Sequence, residues 1–261
     1  MISISNETAA GFLRRDLVKH LAEVIQLELN IPPLPTQAFA DAEAPAVVMP
    51  VSEAPWGAGA FLSQHDDVFT MESVEYLSTL YGEFSLSSVD QAVSGAEAVT
   101  KVLGSVTVRC YPSLVCMSSD AAPPFSLRCR RLDCNDKDLF VHYPDERERA
   151  GESGSQFFER LVVGGEGEIF GIEEDGTLAG YLSCAKEIDH VWDVEFIHVL
   201  EDRRNRGLAT ELASAYAMER LGQGEIPYYS GPANQASERA AEKAGFTRCR
   251  TLLQAELRAK R

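Results

Sequence analysis

The chain has 261 residues, 45% of them hydrophobic, and a net charge of −16. That length suits one large domain or two ordinary ones, and the acidity argues against general nucleic-acid or anionic-membrane binding. No apolar run reaches the roughly 18 residues of a membrane-spanning helix, and the start from Met1 to Thr8 lacks the basic residue and apolar core of a secretory signal.

The acidity is spread evenly, with −8 on residues 1–130 and −8 on the remainder. A basic cluster at Arg203, Arg204 and Arg206 is therefore a local exception. The six cysteines are Cys110, Cys116, Cys129, Cys134, Cys184 and Cys249, and none forms a C-x-x-C pair. Free, mostly buried thiols, no metal and a reducing cytoplasm are expected.

In chain order, Phe12, Leu13, Leu17, Leu21, Ile25 and Leu29 recur near helical spacing and predict a helix over 7–29, ended by Pro32, Pro33 and Pro35. Residues 31–60 read as loop with a short strand at Ala46–Met49. Helices are expected at 70–81 and 86–103, then strands at 106–111 and 114–117 around Pro112. His65, Asp66 and Asp67 read as a solvated loop. The Ala-Ala-Pro-Pro run at 121–124 marks the expected domain boundary, giving an accessory domain at 1–123 and a second domain at 124–261.

Beyond it, Phe125–Leu132 reads as a strand and Asp145–Leu161 as a helix. Asp175-Gly176 between the apolar runs 168–173 and 178–185 predicts a hairpin. Val194, Phe196, Ile197 and Val199 suit a buried strand. The charged run 201–206 ends it, and Gly207 opens a helix carrying Leu208, Leu212, Ala213, Tyr216 and Ala217. A strand at 226–230, a helix at 233–244 stopped by Gly245 and a strand at 246–256 close the chain. The expected fold class is thus α/β (α+β).

A strand running through a glycine turn into a helix presents free N–H groups and the positive end of a helix dipole, which suits an anionic ligand. Three arginines beside it strengthen that expectation.

Two matches identify a family. Arg204-Asn-Arg-Gly207-Leu-Ala209 resembles the acyl-CoA motif R/Q-x-x-G-x-G/A of the GCN5-related N-acetyltransferases (GNAT). Asn234-Gln-Ala-Ser237, with Ala240-Ala-Glu-Lys-Ala-Gly245-Phe246, resembles their second motif, an Asn-led helix ending in E-K-x-G-F. The resemblance covers about 124–261. It implies a mixed, mostly antiparallel sheet flanked by helices; a loose likeness to two-domain members implies an N-terminal α/β accessory domain, readable as a degenerate second half.

The resemblance also assigns residues. Backbone amides of Arg204, Asn205, Arg206, Gly207, Leu208, Ala209 and Thr210 are expected to hold the pyrophosphate of acetyl-CoA. Gly207 stands where a Cβ would block phosphate, and Ala209 takes a position often held by glycine. Arg204 and Arg206 either add charge to the phosphates, the 3′-phosphate included, or are plain surface charge. The backbone at Ile197, His198 and Val199 pairs with the pantetheine arm as an added strand would. Asn234 bonds the arm, caps its helix, or does both, and Ser237 contacts the arm or caps locally.

Acetyl transfer needs a proton taken from the amine and a hydrogen bond to the thioester oxygen. Asp193 or Glu195 is the expected base, the two lying on one strand face by alternation. A backbone N–H near Ile197 or His198 is the expected donor to the oxygen. His198, on the opposite face, is expected to pack. The tyrosine that many members carry seven residues after the asparagine is absent; that position is Ala241. Tyr228, Tyr229 or Ser237 are the substitutes, or the thiolate leaves unaided, since thiols ionise near ~8.5.

The expected activity is transfer of an acetyl group to the primary amine of a small molecule or peptide, with a cationic acceptor favoured by the acidic surface. The alternatives are a longer acyl-CoA donor and a silent CoA-binding regulatory module. No nucleic-acid or membrane partner is expected; a homodimer is left open.

Overall fold

The computed structural model describes residues 2–3, 6–14, 24, 37–38, 47–54, 57–62, 84–88, 106–118, 128–143 and 151–257. The chain divides into two compact units, one of Met1–Ser113 with Arg248–Arg261 and one of Leu114–Thr247. The boundary expected at 121–124, the helix expected at 70–81 and the cluster at 65–67 lie outside the described residues.

In the first unit, strands β1 (Ile2–Ser3), β2 (Gln37–Ala38), β3 (Val47–Ala54) and β4 (Gly57–Leu62) pair antiparallel in succession. Helix α1 (Asn6–Leu13) meets the start of the helix expected at 7–29, whose remainder, Arg14 and Val24 apart, lies outside the described residues. Two expectations are corrected. The strand expected at 46–49 runs on to Ala54 and forms a hairpin with β4, where loop was expected. Pro50 is tolerated because β2 reaches only Val47 and Val48, so its missing N–H is not needed by a second partner. Residues 86–88, expected to open a helix, lie in β5 (Phe84–Ser88), which pairs parallel with β4 and antiparallel with the last strand, β12 (Thr247–Leu257). Pairing on both sides overrides the helical spacing there.

Strand β6 (Val106–Val115) is continuous through Pro112, where two strands were expected. The proline ring fixes φ near a value that extended chain also adopts.

The second unit is a mixed, mostly antiparallel sheet flanked by helices. Strands β7 (Cys129–Arg131), β8 (Gly167–Glu174), β9 (Thr177–Ile188) and β10 (Val191–Val199) are antiparallel neighbours. Strand β11 (Ile226–Tyr229) runs parallel to β10 and antiparallel to Leu114 and Val115 at the end of β6. The β8–β9 hairpin turns at Asp175 (φ 55°) and Gly176 (φ 74°), the double left-handed pair that a two-residue turn needs.

Helix α2 (Lys137–Val141), following a capped turn at Asp133, had no clear sequence signal. Helix α3 (Gly154–Phe158) begins at a Ser153–Gln156 capping box and continues as one wider turn through Val163. That cap places its start well after residue 145. Phe140, Phe157, Phe158, Leu161 and Tyr181 form the core on this face of the sheet. Helices α4 (Leu208–Gly222) and α5 (Gln235–Lys243) cover the other face, over Leu182, Cys184, Val194, Leu212, Tyr216 and Phe246. Among the described residues, no helix is long and apolar enough to cross a membrane.

Candidate functional site

The site grows from the place where β10 and β11 part. They pair at Val191–Ile226, Trp192–Pro227 and Asp193–Tyr228, and the ladder ends there. On its other side β10 stays paired with β9 as far as Val199. Among the described residues, no strand pairs with the β11 edge of β10 beyond Asp193.

A bulge sits at this fork. Val194 is opposite Cys184 and Phe196 is opposite Ser183, so Glu195 is the extra residue. The bulge breaks the alternation expected along the strand. Asp193, Phe196 and His198 lie opposite Ala185, Ser183 and Tyr181, and thus share the α2–α3 face. Trp192, Val194, Ile197 and Val199 face α4 and α5. One expectation changes as a result: His198 lies on the face of Asp193, not opposite it. Glu195 and Phe196 together oppose Ser183, and Glu195 feels Arg160 next to α3, so its carboxylate stays on the side of the sheet that Asp193 faces. No sequence feature marks the inserted residue.

The His198 ring is embedded among aromatics. Its Nδ1 lies 2.7 Å from the Tyr143 hydroxyl, and its ring stands edge-on to Tyr143.

After β10 comes a short turn, Glu201–Arg203, then Asn205 at φ 63° and Gly207 at φ 85°. Two left-handed residues in three turn the chain sharply into α4. Gly207 is the N-cap of α4 and supplies no side-chain cap. The first-turn amides have no intrahelical acceptor by construction, and Glu211 N–H makes the first intrahelical bond, to Gly207 O at 3.0 Å. A Cβ at Gly207 would meet nothing within 4 Å, so the space in front of the turn is open.

Opposite, Asn234 caps α5, its Oδ1 accepting from Ala236 N–H at 2.9 Å and Ser237 N–H at 3.0 Å. The cap role expected of Asn234 is thus present.

A groove of about 910 Å³ lies among these elements. It brings together Ile197, His198 and Val199 from β10, Arg204, Asn205, Gly207, Leu208, Ala209 and Thr210 from the turn and α4, and Asn234 and Ser237 from α5. Three expected residues are not in its wall: Arg206, Asp193 and Glu195. Arg206 is held by Glu174 at 3.3 Å, while Arg203 pairs with Glu174 at 3.1 Å and Asp175 at 3.2 Å. Arg204 donates from Nε to Val199 O at 3.1 Å. Arg239 and Lys243 also line the groove and escaped the sequence reading. Their four-residue spacing after Asn234 was the available signal.

The groove's chemistry fits a long phosphorylated ligand. An uncapped helix start with an open space before it takes a phosphate group, and a strand edge parted from its neighbour takes an extended amide-bearing arm. Coenzyme A carries both. Among the described residues no group of His, Cys, Asp and Glu is arranged to hold a metal ion.

The carboxylates lie upstream, at the fork. Asp193 Oδ1 accepts the Ser230 N–H at 2.9 Å. Burial pushes its carboxyl up to about 7, with Glu187 adding to the rise and the Ser230 hydrogen bonds opposing it. Burial also raises the Glu195 carboxyl, against the lowering pull of Arg160, with Glu187 and Glu152 contributing. The Ala241 position is fully buried in the α4–α5 core, while its neighbour Ala240 borders the groove.

Residues 130–246 match the model of the acetyltransferase (GNAT) family. No curated protein matches the chain. Among solved structures, a GCN5-related N-acetyltransferase from Sphaerobacter thermophilus is similar at 11% identity and a TM-score of 0.59, with 97% of this chain and 93% of that chain covered. A GNAT-family acetyltransferase from Colwellia psychrerythraea is similar at 14% identity and 0.56, covering 99% and 98%. A third, from Kribbella flavida, is similar at 13% and 0.54, covering 100% and 98%. At these identities the likeness concerns the fold. The family model and the fold agree: residues 130–246 form a GNAT-type acetyltransferase domain, which supports acyl transfer in general.

Proposed function

We propose that the protein is an acetyl-CoA-dependent N-acetyltransferase acting on the primary amine of a cationic small molecule or peptide. The observation that carries this reading is the groove between the parted strand edge and the uncapped start of α4, with a carboxyl of raised pKa at its upstream fork. Bound acetyl-CoA supplies the acetyl group as a thioester. The amides of Gly207 to Thr210 hold its pyrophosphate, and the β10 edge at Ile197–Val199, on the side away from β9, aligns its arm. A β10 backbone N–H just past the bulge is suited to donate to the thioester oxygen.

Asp193 is the preferred base. A carboxyl near 7 accepts a proton at neutral pH and stays well matched to an ammonium that must lose one. Glu195, the inserted residue of the bulge, supplies a second carboxyl to attract the positive charge of the acceptor. Tyr228 and Tyr229 are 2% and 4% exposed, so of the three substitute acids Ser237 is the one in the groove wall. The free buried thiols of Cys116, Cys129 and Cys184 suit a reducing cytoplasm. Domains at 1–123 and 124–261 remain the proposed division.

One observation favours a second reading. The usual thiolate acid is replaced by a core alanine, Ala241, as in a CoA-binding module without turnover. Calorimetric titration with acetyl-CoA, paired with a thiol-release assay over an amine panel, separates the two. Binding with amine-dependent thiol release supports the enzyme. Binding without release on any amine supports the module, and no binding overturns both.

A further inference from the structure

The groove has a second basic wall that the glycine turn does not provide. Arg239 and Lys243 stand four residues apart on α5, so they share one helix face, and both border the groove. Both are exposed. Among the described residues neither is held by a carboxylate, in contrast to the opposite wall. There, Glu174 takes Arg203 and Arg206, Asp175 and Asp202 take further arms of Arg203, and Arg204 is turned back to Val199 O. The arginines beside the glycine turn are thus occupied by the protein itself, and Glu201 and Asp202 add negative charge to that wall.

We infer that Arg239 and Lys243 form a phosphate subsite that selects donors carrying the 3′-phosphate of coenzyme A. This inference rests on the proposed coenzyme A reading and deepens it. A ligand whose arm lies on β10 and whose pyrophosphate lies at the α4 start has its nucleotide end still to place. Two cations on the facing helix are the uncommitted positive charge left in the groove wall. Counting along α5 at about 1.5 Å per residue, Arg239 and Lys243 lie about 7.5 and 13.5 Å beyond Asn234, so the pair is displaced along the groove from the residue expected to bond the arm. A guanidinium grips a phosphate through two parallel N–H groups, and an ammonium adds a point charge. In a chain of net charge −16, that local reversal of sign is also what lets a polyanion approach.

The test is calorimetric titration of the full chain with coenzyme A and with 3′-dephospho-coenzyme A. The comparison covers the wild type, Arg239→Gln/Lys243→Gln and Arg239→Lys. Charge-assisted hydrogen bonds predict that the wild type binds coenzyme A at least about tenfold more tightly than the dephospho form. The double variant should lose that gap while binding the dephospho form as the wild type does. Arg239→Lys should keep part of it. A wild-type gap below about threefold, or a gap that survives the double substitution, overturns the subsite while leaving the coenzyme A reading intact. Failure of the wild type to bind either nucleotide overturns both.

Discussion

Asp193 accepts the Ser230 N–H at 2.9 Å across the fork where β10 and β11 part. One carboxylate thus ties the last paired residue of β10 to the residue that follows β11. Its proton affinity is raised to about 7 from an ordinary 3.8. The sign for stability follows. The folded state holds this proton more tightly than the unfolded chain, so the contribution is full below about pH 4 and is lost as pH rises through about 7. Activity runs the other way, since a base must be deprotonated. Asp193→Asn keeps the acceptor for Ser230 but cannot take a proton. It should lower kcat by about 10²–10⁴-fold and flatten the decline of Tm between pH 4 and 7. A variant with wild-type kcat would remove Asp193 from the chemistry.

Gly207→Ala tests the turn. Gly207 sits at φ 85°, and no atom lies within 4 Å of an added Cβ. The substitution therefore costs backbone strain alone, about 1–2 kcal/mol, or a drop of some 3–8 °C in Tm. The open space is where the amides would meet phosphate, so the methyl should also weaken acetyl-CoA binding by about tenfold. Equal affinity in the two proteins, measured by calorimetry, would mean that phosphate does not approach at Gly207.

Much of this site was legible in the chain. Asp175-Gly176 encodes its hairpin locally, and Arg204–Ala209 and Asn234–Phe246 encode a turn and a capped helix with their own residues. What the sequence hid depends on partners. The bulge at Glu195 is defined by β9 across the ladder, and without it His198 comes out on the wrong face. The occupation of Arg206 depends on Glu174, 32 residues earlier. The strand at Phe84–Ser88 exists because β4 and β12 flank it; helical spacing in one segment carries no record of them.

Ala241→Tyr asks whether the missing acid can be restored at the matching position. The Ala241 side chain is fully buried between α5 and α4, and its carbonyl accepts Phe246 N–H at 3.0 Å. A phenol there must displace core atoms before it can reach the groove. Overpacking should destabilise the protein by about 1–3 kcal/mol, read as a lower urea midpoint, without raising kcat. A gain in kcat at unchanged stability would show that the position opens to the groove.

Arg220 is the most exposed to failure of the buried groups, because it is 1% exposed yet charged. Its guanidinium binds Glu168 at 2.8 Å and Glu225 at 2.9 Å and lies 4.4 Å from the Trp192 ring centre. It thereby links α4, β8 and the segment before β11 beneath β10, the strand that carries the site. Arg220→Ala removes the cation from beside Glu225 and leaves Glu168 with Arg131 alone, at 2.9 Å; the two carboxylates are only 16% and 18% exposed. Breaking a buried pair from one side costs about 3–5 kcal/mol, a large share of the roughly 5–15 kcal/mol that holds a domain folded. Urea unfolding should show a loss of that size. Glu225→Gln, which removes one carboxylate and keeps a hydrogen-bond acceptor, should lose much less. Equal losses in the two variants would place the stabilisation in the Glu225 contact alone and not in the cation that joins the three elements.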